Sequence, residues 1–169
     1  SRKGHRNQTT MQAGEYLVAA MLCKQNIVAT TFTGNVPNYD ILASNESGKS
    51  IAIQVKTINK GSWQHDISKY ADVSFNGHKQ IVGKPYKPKC KDIIYVLVYL
   101  VPDPEGKDKF FILEQNVYIN LLIKNYNNWL DLHGGIRPKR HDSTHVAVKI
   151  EDIKDHENKW GIIMKYIGV

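Results

Sequence analysis

The chain has 169 residues, 41% hydrophobic and 23% charged, a globular balance that excludes a disordered polymer and suffices for a single domain with one core. Lys and Arg number 23 against 16 Asp and Glu, and the formal charge of +7 points towards polyanionic partners without deciding the fold. No apolar run approaches the roughly 18 residues that a membrane span needs, and the two cysteines, Cys23 and Cys90, are too few for a disulfide framework or a zinc site. With no secretory signal visible, both are expected as reduced thiols of a cytoplasmic protein.

In chain order, Ser1-Arg2-Lys3-Gly4-His5-Arg6 is a basic arm without apolar periodicity, read as a frayed terminus in preference to a DNA-contacting arm. Thr9 to Asn26 is predicted helical, with Ala13, Leu17, Ala20 and Met21 in one apolar stripe and Met11, Val18 and Leu22 extending it. Glu15 interrupts that stripe, and an acid there either reaches the rim or serves chemistry. Ile27 to Thr33 reads as a first strand, Gly34-Asn35-Val36-Pro37-Asn38 as a turn. Tyr39–Ser44 and Ile51–Ile58 form an antiparallel hairpin across Asn45-Glu46-Ser47-Gly48-Lys49. Asn59 to Lys91 lacks a firm period and is expected to be an insert with at most short elements. Ile93–Val101 is apolar on both faces, as a central strand would be, and Lys109–Leu113 returns beside it. Asn116 caps a helix to about Leu132, with Val117, Leu121, Ile123 and Trp129 expected inward and Gly134-Gly135 ending it. A basic loop, Ile136-Arg137-Pro138-Lys139-Arg140-His141, precedes a short strand at His145–Ile150 and a closing segment to Val169. These elements make an α/β domain with a central mixed sheet flanked by helices.

The chemistry-bearing residues gather on the hairpin. Strand side chains alternate, so Gln54 and Lys56 share one face while Ile51, Ile53 and Val55 share the other. Asp40 opens the neighbouring strand beside that polar pair, and Glu15 joins them if its helix packs on the same side. A hard cation such as Mg²⁺ takes oxygen ligands from one or two carboxylates plus phosphate. A lysine alongside steadies an attacking water or the charge growing on a phosphate. The histidines His65, His78, His133, His141 and His145 have no metal-ligand spacing. Ser62 and Ser143 lie near histidines only in sequence, which makes no triad. Trp63 and Tyr70 are expected to pack the insert.

Asp40 followed by Gln54-Val55-Lys56, with Glu15 in a preceding helix, resembles the PD-(D/E)XK nuclease superfamily, in its branch of small bacterial and homing-endonuclease-like enzymes with a Gln-x-Lys motif. The resemblance covers about residues 10–58. It departs from the superfamily pattern at Tyr39, where proline is usual, and at Gln54, where an acid is usual. The resemblance implies a restriction-endonuclease-like fold and a Mg²⁺-dependent DNA endonuclease, with Mn²⁺ as a substitute. Asp40 would be the principal metal ligand, Glu15 the second acid and Gln54 a neutral ligand or water orienter. Lys56 would position the nucleophile. DNA contacts are expected from Lys84, Lys87, Lys89, Arg137, Lys139 and Arg140, and cutting both strands implies a homodimer. The alternative reading, kept open by the missing charge at Gln54, is a catalytically inactive nuclease-fold module that binds nucleic acid or a partner protein.

Overall fold

The computed structural model describes residues 2–32 and 38–169, with Arg2 by its backbone alone. The turn expected at Gly34-Asn35-Val36-Pro37-Asn38 lies outside these residues except for Asn38, at φ +80°. The chain divides into two compact units: Ser1–Gly61, Lys89–Gln115 and Ile153–Val169 form the first, Ser62–Pro88 and Asn116–Asp152 the second.

The first unit is built on five strands: β1 (Val28–Thr31), β2 (Ile41–Ser44), β3 (Ser50–Ile58), β7 (Ile94–Tyr99) and β8 (Lys109–Glu114). They lie in the order β1-β2-β3-β7-β8, with β3 and β7 parallel and the other pairs antiparallel, so the sheet is mixed. β7 sits in the interior and is buried along almost its whole length, which its two-sided apolar sequence requires. Helix α1 (Arg2–Cys23) lays Val18 and Leu22 into a core shared with Ile51, Ile53, Val55, Val96 and Ile112. Ile163 and Ile167 of helix α4 (Gly161–Ile167) complete that core.

The stop of α1 is written in Asn26. That residue adopts φ +60°, and Ile27 N donates to Leu22 O (3.1 Å) while Asn26 N donates to Cys23 O (3.0 Å). This is the Schellman arrangement, and both residues of its hydrophobic contact, Leu22 and Ile27, are buried. Two expectations for α1 change. The basic arm is helical and exposed from Lys3 rather than frayed, and the buried stripe runs Gly14, Val18, Leu22, leaving Met11 57% exposed.

In the second unit, β4 (Trp63–Asp66) pairs with β9 (His145–Val148), and β5 (Ala71–Asn76) pairs with β6 (Lys79–Pro85). The expected insert therefore holds a full hairpin. Helix α2 (Gln115–Asp131) buries Tyr118, Ile119, Leu122, Tyr126 and Leu130. The face expected inward was rotated, with Val117 39% exposed, because two tyrosines rather than Trp129 complete the buried i, i+4 stripe. Their hydroxyls are satisfied. Tyr126 Oη donates to Gln80 Oε1 (2.6 Å) and Tyr118 Oη bonds His65 Nε2. Trp63 is buried, as a packing residue. Helix α3 (Ile150–Ile153) closes the list of elements.

Candidate active site and nucleic-acid surface

Asp40 is placed by a backbone need. β2 pairs with β3 only as far as Ile41 opposite Ile53, so beyond it the β3 edge lacks a strand partner. Asp40 N donates to Ile53 O (2.8 Å), and its side chain then takes over from the missing strand: Val55 N donates to Asp40 Oδ2 at 2.7 Å. Gln54 Nε2 donates to the same oxygen at 2.7 Å. Oδ2 takes both bonds. The alternation of burial along β3 puts Ile51, Ile53 and Val55 inside and Gln54 and Lys56 on the half-buried face, as expected.

Glu15 arrives by a different route from the expected one. α1 covers the Ile51–Ile53–Val55 face, opposite Gln54 and Lys56, and the helix touches the end of β3 where Gly14 meets Thr57. A Cβ added at Gly14 would lie 1.8 Å from Thr57 Oγ1, so only glycine allows this approach. Asn59 Nδ2, just past the strand, reaches Thr10 Oγ1 of the helix at 3.5 Å. Thr57 Oγ1 is buried without a hydrogen-bond partner among the described residues. The contact brings Glu15 within the electrostatic reach of Asp40. Burial pushes the Glu15 carboxyl above its ordinary range, and the Asp40 charge raises it further. Burial likewise raises Asp40, while the Val55 N–H and the Lys56 ammonium pull it part of the way back. Glu15, Asp40 and Lys56 thus feel one another through Asp40, around the end of β3.

The oxygen donors suit a hard divalent cation: two carboxyls, both raised chiefly by burial, and the side-chain amide of Gln54, whose N–H already bonds Asp40. Among the described residues no cluster of three His, Cys, Asp or Glu side chains could hold a metal by protein ligands alone. Any cation here would take further oxygens from substrate or water.

The expected DNA-contacting residues divide in behaviour. Lys84 of β6 and Lys87 and Lys89 beyond it are exposed, as are Lys139 and Arg140. Arg137 is engaged inside the second unit. Its Nη1 donates to His145 O (2.9 Å), and its guanidinium lies 4.5 Å from the centroid of the Trp129 ring. Behind it, the buried Gln80 donates through Nε2 to His141 O (2.8 Å) and Ser143 O (2.9 Å), fastening the basic loop to β6.

No family model matches the chain, and no curated protein matches it in sequence. Among solved structures, the bacterial homing endonuclease I-Ssp6803I is similar over 94% of this chain and 93% of its own, with a TM-score of 0.51 and 14% identity. The chain shares the fold of that endonuclease. At this identity the likeness is one of architecture, and it agrees with a nuclease-like mixed sheet flanked by helices. Sequence reasoning missed two residues of the site, Gly14 and Thr57. Neither carries chemistry, and only the packing of helix on strand singles them out.

Proposed function

We propose that the protein is a Mg²⁺-dependent DNA endonuclease of the PD-(D/E)XK type. The observation that carries this reading is the Asp40 carboxylate, held by Val55 N–H and Gln54 with Glu15 and Lys56 as its charged neighbours. The homing-endonuclease fold supports it.

Asp40 Oδ1, Glu15 and the Gln54 carbonyl oxygen would hold the cation, which when bound activates a water and neutralises charge on the phosphate. Gln54 keeps Asp40 oriented through its amide N–H. Lys56, on the same face of β3, positions the attacking water in line with the scissile phosphodiester and offsets charge on the phosphoryl oxygens. The neutral Gln54 leaves the site one charge poorer than an acid would, and Glu15 restores it.

Plasmid DNA incubated with the protein is expected to be nicked or linearised with Mg²⁺ or Mn²⁺ and left intact with a chelator. Asp40→Ala and Lys56→Ala are each expected to slow cleavage by at least about 10²-fold. Cleavage by both variants at the parent rate would remove the assignment. Binding without cleavage by the parent, at every metal tested, would favour the inactive-module reading.

A further inference from the structure

We infer that the outward face of the β5–β6 ribbon reads base edges in the major groove of duplex DNA, and so determines the sequence preference of the enzyme. This rests on the endonuclease reading above and adds the residues that choose the site.

The ribbon is two strands wide. Its register places Ser74 opposite Ile81 and Asn76 opposite Lys79, so these four share a face, and Asp72, at the register irregularity between Ala71 and Val73, joins them with its Cβ 3.3 Å from where a Cβ on Gly83 would stand. All five are exposed, Ile81 by 52%. The other face carries Val73, Val82, the half-exposed Phe75 and, opposite Phe75, the buried Gln80, whose bonds to Tyr126 and to the carbonyls of His141 and Ser143 anchor the ribbon to the rest of its unit. One face is therefore fastened and the other is open. The strands turn through Gly77-His78, with Gly77 at φ +60°, as the first position of a tight type II′ turn requires.

Structural need alone does not account for the open face. The open face presents one carboxylate, one hydroxyl, one amide, one ammonium and, half exposed among them, the branched apolar side chain of Ile81. Those are the groups that meet cytosine N4, purine edges and the thymine methyl. A two-stranded ribbon also matches the width of the major groove, which admits a helix or such a ribbon.

Charge complementarity selects DNA as the occupant. At the tip, a groove of about 500 Å³ is lined by Phe75, His78, Lys139, Arg140, His141 and Asp142, with the His78 and His141 rings 4.2 Å apart. Lys139 and Arg140 stand there to hold a flanking phosphate, while Arg137, spent on Trp129 and His145 O, positions their loop. Phosphate contacts then set the register, and the ribbon face specifies.

The test is selection of bound sites from a random duplex library with the full chain, for the parent and for Asn76→Ala, Ile81→Ala and Lys139→Ala/Arg140→Ala. Asn76→Ala and Ile81→Ala are each expected to relax preference at one or two adjacent positions, by about tenfold or more. The Lys139→Ala/Arg140→Ala variant is expected to weaken binding to all sequences and to lower the salt slope by about 2. Replacing the selected purines by 7-deaza analogues, which removes an acceptor from the major groove, is expected to weaken binding by the parent at the same positions. This arm serves even where a ribbon variant fails to fold. A parent that binds without preference, folded ribbon variants with an unchanged profile, or indifference to 7-deaza purines overturns the ribbon inference and leaves the nuclease reading standing. A parent that neither binds nor cuts any DNA overturns both.

Discussion

Asp40 does two things that pull against each other. Its carboxyl satisfies the Val55 N–H left over where β2 stops, yet it sits half-buried within electrostatic reach of Glu15, where burial disfavours its charge. Both carboxyls are raised, so the fold favours their protonated forms. Their stabilising contribution is complete below the ordinary carboxylate range and is lost as pH rises through the raised folded values. At neutral pH the two charges therefore cost stability. Asp40→Asn keeps the acceptor for Val55 N–H and removes the charge. In chelator at pH 7 it is expected to melt no lower than the parent, with any advantage disappearing below about pH 4, the ordinary Asp range. Adding Mg²⁺ is expected to raise the Tm of the parent and leave the variant unmoved, since only the parent gains a ligand in the folded state. Thermal melts at the two pH values, with and without Mg²⁺, check this. A variant clearly less stable than the parent at pH 7 would mean that burial does not dominate at Asp40.

At the scale of elements, the decisive contact is α1 against the end of β3. Leu22 and Ile27 close the C-terminal end of the helix, while Gly14 against Thr57 sets how closely its middle approaches the strand. Glu15 follows Gly14 directly, so how closely the helix approaches the strand also governs how near Glu15 comes to Asp40. Gly14→Ala places a methyl 1.8 Å from Thr57 Oγ1 and is expected to cost about 1–3 kcal/mol as α1 lifts. Cleavage is expected to fall as well, because Glu15 lifts with it. Adding Thr57→Ala removes the hydroxyl but leaves the strand Cβ at 2.8 Å, so recovery is expected to be partial. Chemical denaturation and cleavage rates on the single and double variants test this. A Gly14→Ala protein with parental stability and rate would show that the approach is slack.

For the whole molecule, the excess of positive charge is the property that reports on DNA. If six of the exposed cations among Lys3, Arg6, Lys84, Lys87, Lys89, Lys139 and Arg140 neutralise phosphates, log affinity is expected to fall against log salt with a slope of about −5. A slope near −1 would assign these residues to solvated surface. If the proposed site cleaves DNA, one site per chain makes a twofold homodimer the simplest way to cut both strands. Light scattering on the protein bound to duplex DNA is expected to give two chains per site, and a single chain there would remove the pairing. Among the described residues no helix is long and apolar enough to cross a membrane.

The hairpin carrying Asp40, Gln54 and Lys56 was legible in the residues, because alternation along a strand is a local rule and the polar exceptions to it stand out. The central strand β7 was legible for the same reason: nothing but burial on both faces explains its apolar run. The β5–β6 hairpin had a local signal in Gly77, which opens its Gly77-His78 turn, but the polar composition around it hid the strands. The face of α2 was not legible, since a buried tyrosine needs a partner for its hydroxyl and the partners, Gln80 and His65, are about 40 to 50 residues away in sequence. Arg137 likewise looked like its neighbours Lys139 and Arg140 until Trp129 and His145 O were seen to hold it. Glu15 is the sharpest case. Its sequence said only that an acid interrupts an apolar stripe. That it comes within electrostatic reach of Asp40 from the opposite face of the sheet was decided by a glycine, a threonine and the end of a strand, because side-chain proximity between distant segments is a property of packing and not of any local pattern.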